Sequence, residues 1–65
     1  MNDDQIKGKW TQLKGKAKET WGELTDNDLM EVEGDVEKLT GKLQERYGIE
    51  REEAKKRIDE WRAQV

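Results

Sequence analysis

The 65-residue chain contains no cysteine, histidine, proline or phenylalanine. Serine is missing as well. Without cysteine there are no disulfides or thiolate sites, and without histidine the usual zinc ligands are gone. The common staples of a very small domain therefore do not apply. The joint absence of Ser, His and Cys also removes serine and cysteine nucleophile–base constellations and the ordinary neutral-pH proton shuttle. No window approaches the roughly 18 apolar residues that a membrane span requires. The opening Met1-Asn2-Asp3-Asp4 is acidic and lacks the basic start and apolar core of a signal peptide. The expectation is a cytoplasmic chain with no membrane span and no cofactor.

Aliphatic residues are scarce too. Leu, Ile and Val number 11 of 65 residues, below the roughly 20% that marks disordered chains. Three Trp and one Tyr offset this by supplying large apolar area at few positions. A chain this short buries only about 60% of its unfolded surface. The composition therefore fits one small, marginally stable domain spanning residues 1–65. Net charge is −3, from 16 acidic and 13 basic residues. It is distributed unevenly: residues 1–22 carry a net +2, 23–34 carry −5, and the remainder is balanced. This is not the basic balance of a dedicated nucleic-acid module.

What the chain does contain is an internal repeat. A shift of 26 residues lays Gly8, Trp10, Leu13, Gly15, Lys16, Ala17, Glu19, Trp21 and Gly22 on Gly34, Val36, Leu39, Gly41, Lys42, Leu43, Glu45, Tyr47 and Gly48. Six of these nine pairs are identical and three pair apolar with apolar. The copies span about 8–22 and 34–48, so the chain reads as two helical hairpins on one plan.

Periodicity places the first helix from Asp3 or Asp4 to Trp21. Ile6, Trp10, Leu13, Ala17, Trp21 and Leu24 fall within a sector of about 80° at 100° per residue. Gly8, Gly15 and Gly22 lie on the opposite side, and Gly22 is also placed as a C′ cap. Leu29, Val32, Val36, Leu39, Leu43 and Tyr47 form a second stripe, with Gly34, Gly41 and Gly48 away from it. Gly34 is a point where this segment divides, and Gly48 is another C′ residue. Asp26, Asn27 and Asp28 supply an N-cap and negative charge at a helix start. A last helix from about Glu50 to Arg62 carries Ala54, Ile58 and Trp61, with Val65 as a further candidate for that stripe and Ile49 as a staple before it. No segment alternates apolar with polar, so no strand is predicted.

The glycine row has three readings. It is a tolerated solvent face, a surface for close approach of a partner, or the mark of a helix that forms only on dehydration or binding.

Searches for chemistry mostly fail. The carboxylates lie in polar runs such as "ELTDNDLMEVE" and "EREEAKKRIDE", without the burial that acid–base work needs, so catalysis is not expected. From Asp26, the sixth position of an EF-hand loop would be Glu31 rather than glycine, so helix capping explains these acids better than metal. "GKWTQLKGK" fits neither phosphate-binding glycine motif. The remaining candidate is a lysine band. Lys7, Lys14 and Lys18 lie on one flank of the glycine side, and Lys9 and Lys16 on the other. Such a face would meet phosphates of nucleic acid or an anionic lipid surface, or be simply solvated.

"GKWTQLKGKAKETWGELTDNDL", then "EGDVEKLTGKLQERYG", then a final amphipathic helix carrying Trp61, resembles the CsbD-like family of bacterial proteins over nearly the whole chain. The resemblance implies an all-α fold, a small four-helix domain of two crossed helical hairpins. It implies association with general stress or the stationary phase, and supplies no site residues. The reading is thus a non-enzymatic, cytoplasmic stress-response protein of hydrophilic, protective character. The alternative is a small binding module that uses the lysine band. A monomer is expected, with weak self-association through the apolar stripes as a variant.

Overall fold

The computed structural model describes residues 3–65, with side chains from Ile6 onward. Met1 and Asn2 of the acidic opening lie outside the described residues. Five helices follow in order: α1 (Asp3–Gly8), α2 (Trp10–Thr20), α3 (Asp26–Val32), α4 (Val36–Tyr47) and α5 (Arg51–Gln64). No strand occurs among the described residues. The fold is all-α, as the periodicity and the resemblance implied.

The count is five rather than four because the first helix breaks. Lys9 leaves helical geometry, with φ −109° and ψ 11°. Its N–H closes a tight turn on the Ile6 carbonyl at 3.2 Å. The break follows Gly8, a residue that gives a helix little support. It also lets α1 lie against another part of the chain. The backbone of Ile6 and Lys7 passes directly over Gly34, which is buried. A Cβ built on Gly34 would stand 2.6 Å from the Lys7 Cα.

This overturns one expectation. Gly34 was placed with the outward-facing glycines, yet it is the crossing point of α1. Its φ of +80° follows Glu33, itself left-handed at φ 51°. Together they turn the chain sharply between α3 and α4. A methyl group here would meet backbone and would also oppose the conformation. Gly8, Gly15, Gly22 and Gly41 behave as expected, with open space where a Cβ would be.

Capping departs from the sequence expectation at two ends. α3 starts from Thr25, not from Asp26. The Thr25 hydroxyl accepts from the Asp28 N–H at 3.0 Å, and the Asp28 carboxylate accepts from the Thr25 N–H at 3.0 Å. This reciprocal pair is a capping box. α2 ends at Trp21 (φ −120°), and Gly22 does not enter the left-handed region. Gly48 does, at φ 63°, and closes α4 through a bond to the Gln44 carbonyl. Asp35 caps α4 by accepting from the Glu37 and Lys38 amides.

Every member of the first apolar stripe is buried: Ile6, Trp10, Leu13, Ala17, Trp21 and Leu24. They meet Leu29, Val32, Leu39, Leu43, Ala54, Ile58 and Trp61 in a single cluster. Val36, Tyr47, Ile49 and Val65 pack against its edge, half-buried. The indoles of Trp21 and Trp61 sit 5.0 Å apart between ring centroids, inclined at 58°, and join the end of α2 to α5. The indole N–H of Trp10 donates to the Leu29 carbonyl at 2.8 Å and fastens α2 to α3. The Cα radius of gyration is 10.4 Å, against about 10.7 Å for a compact chain of this length.

Candidate functional site

The five lysines of the band are all exposed. Their arrangement differs from that of one straight helix. Lys14, Lys16 and Lys18 stand on α2, Lys9 occupies the junction, and Lys7 belongs to α1. The break at Lys9 therefore divides the band into two groups. Lys18 is held by Asp26, with Nζ 2.7 Å from Oδ1. Among the described residues, Lys7, Lys9, Lys14 and Lys16 make no ion pair. Beside them Gly8 and Gly15 leave the helix surface bare. The result is four uncompensated ammonium groups around exposed backbone, a surface suited to weak contact with anions.

Sequence reasoning missed the densest electrostatic feature. Asp28 is buried, at 2% exposure, despite its charge. Arg46 reaches it from α4 with both arms of its guanidinium, Nε to Oδ2 at 2.9 Å and Nη2 to Oδ1 at 3.0 Å. Lys42 lies 3.5 Å from the same carboxylate and 2.5 Å from Glu31. The side chain of Asp28 is thus surrounded by donors from Thr25, Arg46 and Lys42.

The Arg46 hydrogen bonds are the largest cause holding the Asp28 carboxyl well below the usual range. The Thr25 N–H adds to this, while burial works in the opposite direction. Glu31 foremost, then Asp28, raises Lys42, and Asp28 raises Arg46. A carboxylate locked in the ionised form, with its oxygens occupied by a helix cap and a guanidinium, is unsuited to proton transfer or to ligating a metal. Its role is to clamp α3 to α4. One signal for it was readable: Thr25-Asp26-Asn27-Asp28 matches the first and last positions of a capping box with aspartate in the glutamate place. The pairing with Arg46, 18 residues away, had no local sign.

Fold and surface together define a small, charge-rich helical domain that displays lysine and glycine outside an aromatic core. The chain belongs to the CsbD-like family, whose model matches residues 4–56. It is 56% identical over 61 residues to a UPF0337 protein of Pectobacterium atrosepticum, covering 94% of this chain and 88% of that one. It is 59% identical over 58 residues to a UPF0337 protein of Pseudomonas aeruginosa, covering 89% of each. It is 49% identical over 61 residues to the UPF0337 protein YjbJ of Escherichia coli strain K12, covering 94% of this chain and 88% of that one. No solved structure matches the chain.

Proposed function

We propose that this protein is a non-enzymatic stress-response protein of the cytoplasm. It acts by hydration and by weak, multivalent contact with other macromolecules, without a cofactor. The observation that carries this reading is the partition of the molecule. Thirteen apolar residues close on one another in the core, while the outside, Met30 apart, is polar and charged side chains and bare glycine backbone. Such a surface holds water strongly and stays dispersed. No described helix is long and apolar enough to cross a membrane; in this reading the protein acts as a monomer. The test is protection of a labile enzyme through drying and rehydration. The protein should preserve more activity than an equal mass of an inert globular protein, and equal recovery would refute the reading.

A second reading is favoured by the four unpaired lysines. In it, Lys7, Lys9, Lys14 and Lys16, with Lys18, rest against nucleic acid or an anionic surface. Binding would then fall steeply with added salt, and Lys→Glu changes at these positions would weaken it. Undetectable association at low salt would remove this alternative.

A further inference from the structure

Between α2 and α3 runs a groove of about 490 Å³, open to solvent along one side. Gln12, Lys14, Gly15 and Lys18 form one wall, and Leu29 and Met30 the other. Met30 is 62% exposed, the one large apolar side chain left outside among the described residues. Its thioether is flexible and polarisable, which suits contact with irregular or mobile chains. Gly15 contributes no side chain, and a Cβ there would meet nothing within 4 Å. At one end the Lys18–Asp26 ion pair joins the two walls. The neighbouring Lys14 ammonium has no partner among the described residues. A trough of this size, whose exposed apolar surface is Met30 and the bare backbone at Gly15 and whose rim carries one uncompensated cation, fits the dimensions of a small-molecule site.

We propose that this groove binds a single-chain amphiphile with a monoanionic head, such as a long-chain carboxylate. The hydrocarbon lies along Met30 and the bare backbone at Gly15, with Leu29 behind them at 2% exposure, and the head meets the Lys14 ammonium. Charge complementarity selects the head: Lys18 is already neutralised by Asp26, so one positive charge is left to satisfy. The proposal rests on the groove and not on the surface-binding reading, because Lys7, Lys9 and Lys16 do not line it.

The test is titration of the full chain with sodium dodecanoate, kept below its micelle concentration and followed by amide NMR. Saturable shifts centred on Gly15 and Met30 are expected. Gly15→Leu fills the trough from a position with free space around it and should abolish saturation while circular dichroism stays helical. Met30→Gln alters only an exposed side chain and should weaken binding independently. Lys14→Glu should weaken it about fivefold or more, whereas Lys16→Glu should leave it unchanged. Dodecyltrimethylammonium, with the same chain and opposite head charge, should not saturate. Absence of saturation, or unchanged binding in both Gly15→Leu and Met30→Gln, would overturn the proposal. Equal weakening by Lys14→Glu and Lys16→Glu would also overturn it, while leaving general attraction of anions to the lysine face intact.

Discussion

Gly34→Ala is the substitution that most sharply separates this fold from a pair of hairpins with decorative glycines. The new methyl would lie 2.6 Å from the Lys7 Cα and 3.2 Å from both the Ile6 carbonyl oxygen and the Lys7 nitrogen. All three are backbone atoms, so no side chain can swing aside. The φ of +80° adds a conformational cost of about 1–2 kcal/mol for a residue with a Cβ. Relief requires α1 to lift, which takes with it Ile6, now 1% exposed. Burying an isoleucine stabilises by about 1.5–3 kcal/mol, and losing part of that brings the total to about 2–4 kcal/mol. A domain of this size has only about 3–5 kcal/mol in all.

Urea unfolding followed by far-UV circular dichroism would therefore show Gly34→Ala largely unfolded or with a strongly lowered midpoint. Gly15→Ala is the matched control. It has nothing within 4 Å and no positive φ, so improved helix propensity should stabilise it by up to about 1 kcal/mol. Equal effects of the two changes would refute the docking of α1 on Gly34.

Three further outcomes follow from the same contacts. Trp10→Phe removes the 2.8 Å indole bond and leaves the Leu29 carbonyl with only the 3.4 Å bond from the Glu33 N–H, whereas the Trp61 indole N–H is buried with no partner among the described residues. Denaturant midpoints should thus place Trp10→Phe about 1 kcal/mol below Trp61→Phe. Asp28→Asn removes the bidentate acceptor for Arg46 and weakens the capping box, and should lower stability by about 2 kcal/mol in the same assay. Asp28 also sets a pH dependence. Its folded-state pKa lies below the unfolded value of about 4, so its stabilisation is full above that pH and declines as pH falls through it. Acid titration of wild type should show this loss, and Asp28→Asn should flatten it.

The core was legible because an α-helix imposes one period on everything it buries. Ile6, Trp10, Leu13, Ala17, Trp21 and Leu24 could be named from spacing alone, and the break at Lys9 did not disturb them because Lys9 itself faces solvent. The break was not legible for the same reason: spacing assumes a continuous helix and reports nothing of where it bends. Gly34 illustrates the limit further. By repeat it matches Gly8, which is exposed, yet the path of α1 buries one and frees the other. That difference is set by tertiary approach. The clamp on Asp28 was hidden in the same way, since the acidic run 23–34 looks solvated until α4 brings Arg46 to it. The lysines were legible as exposed. The groove beside Lys14 was not, because it depends on the spacing between two helices and on a methionine left outside.

The measurement closest to the central claim is quenching of tryptophan emission by acrylamide. Trp10, Trp21 and Trp61 are 7%, 3% and 4% exposed, so all three indoles should emit at short wavelength and resist the quencher until urea unfolds the chain. Long-wavelength emission, freely quenched in the absence of urea, would mean that the aromatic anchors are wet and that the charged, glycine-lined exterior described here does not exist.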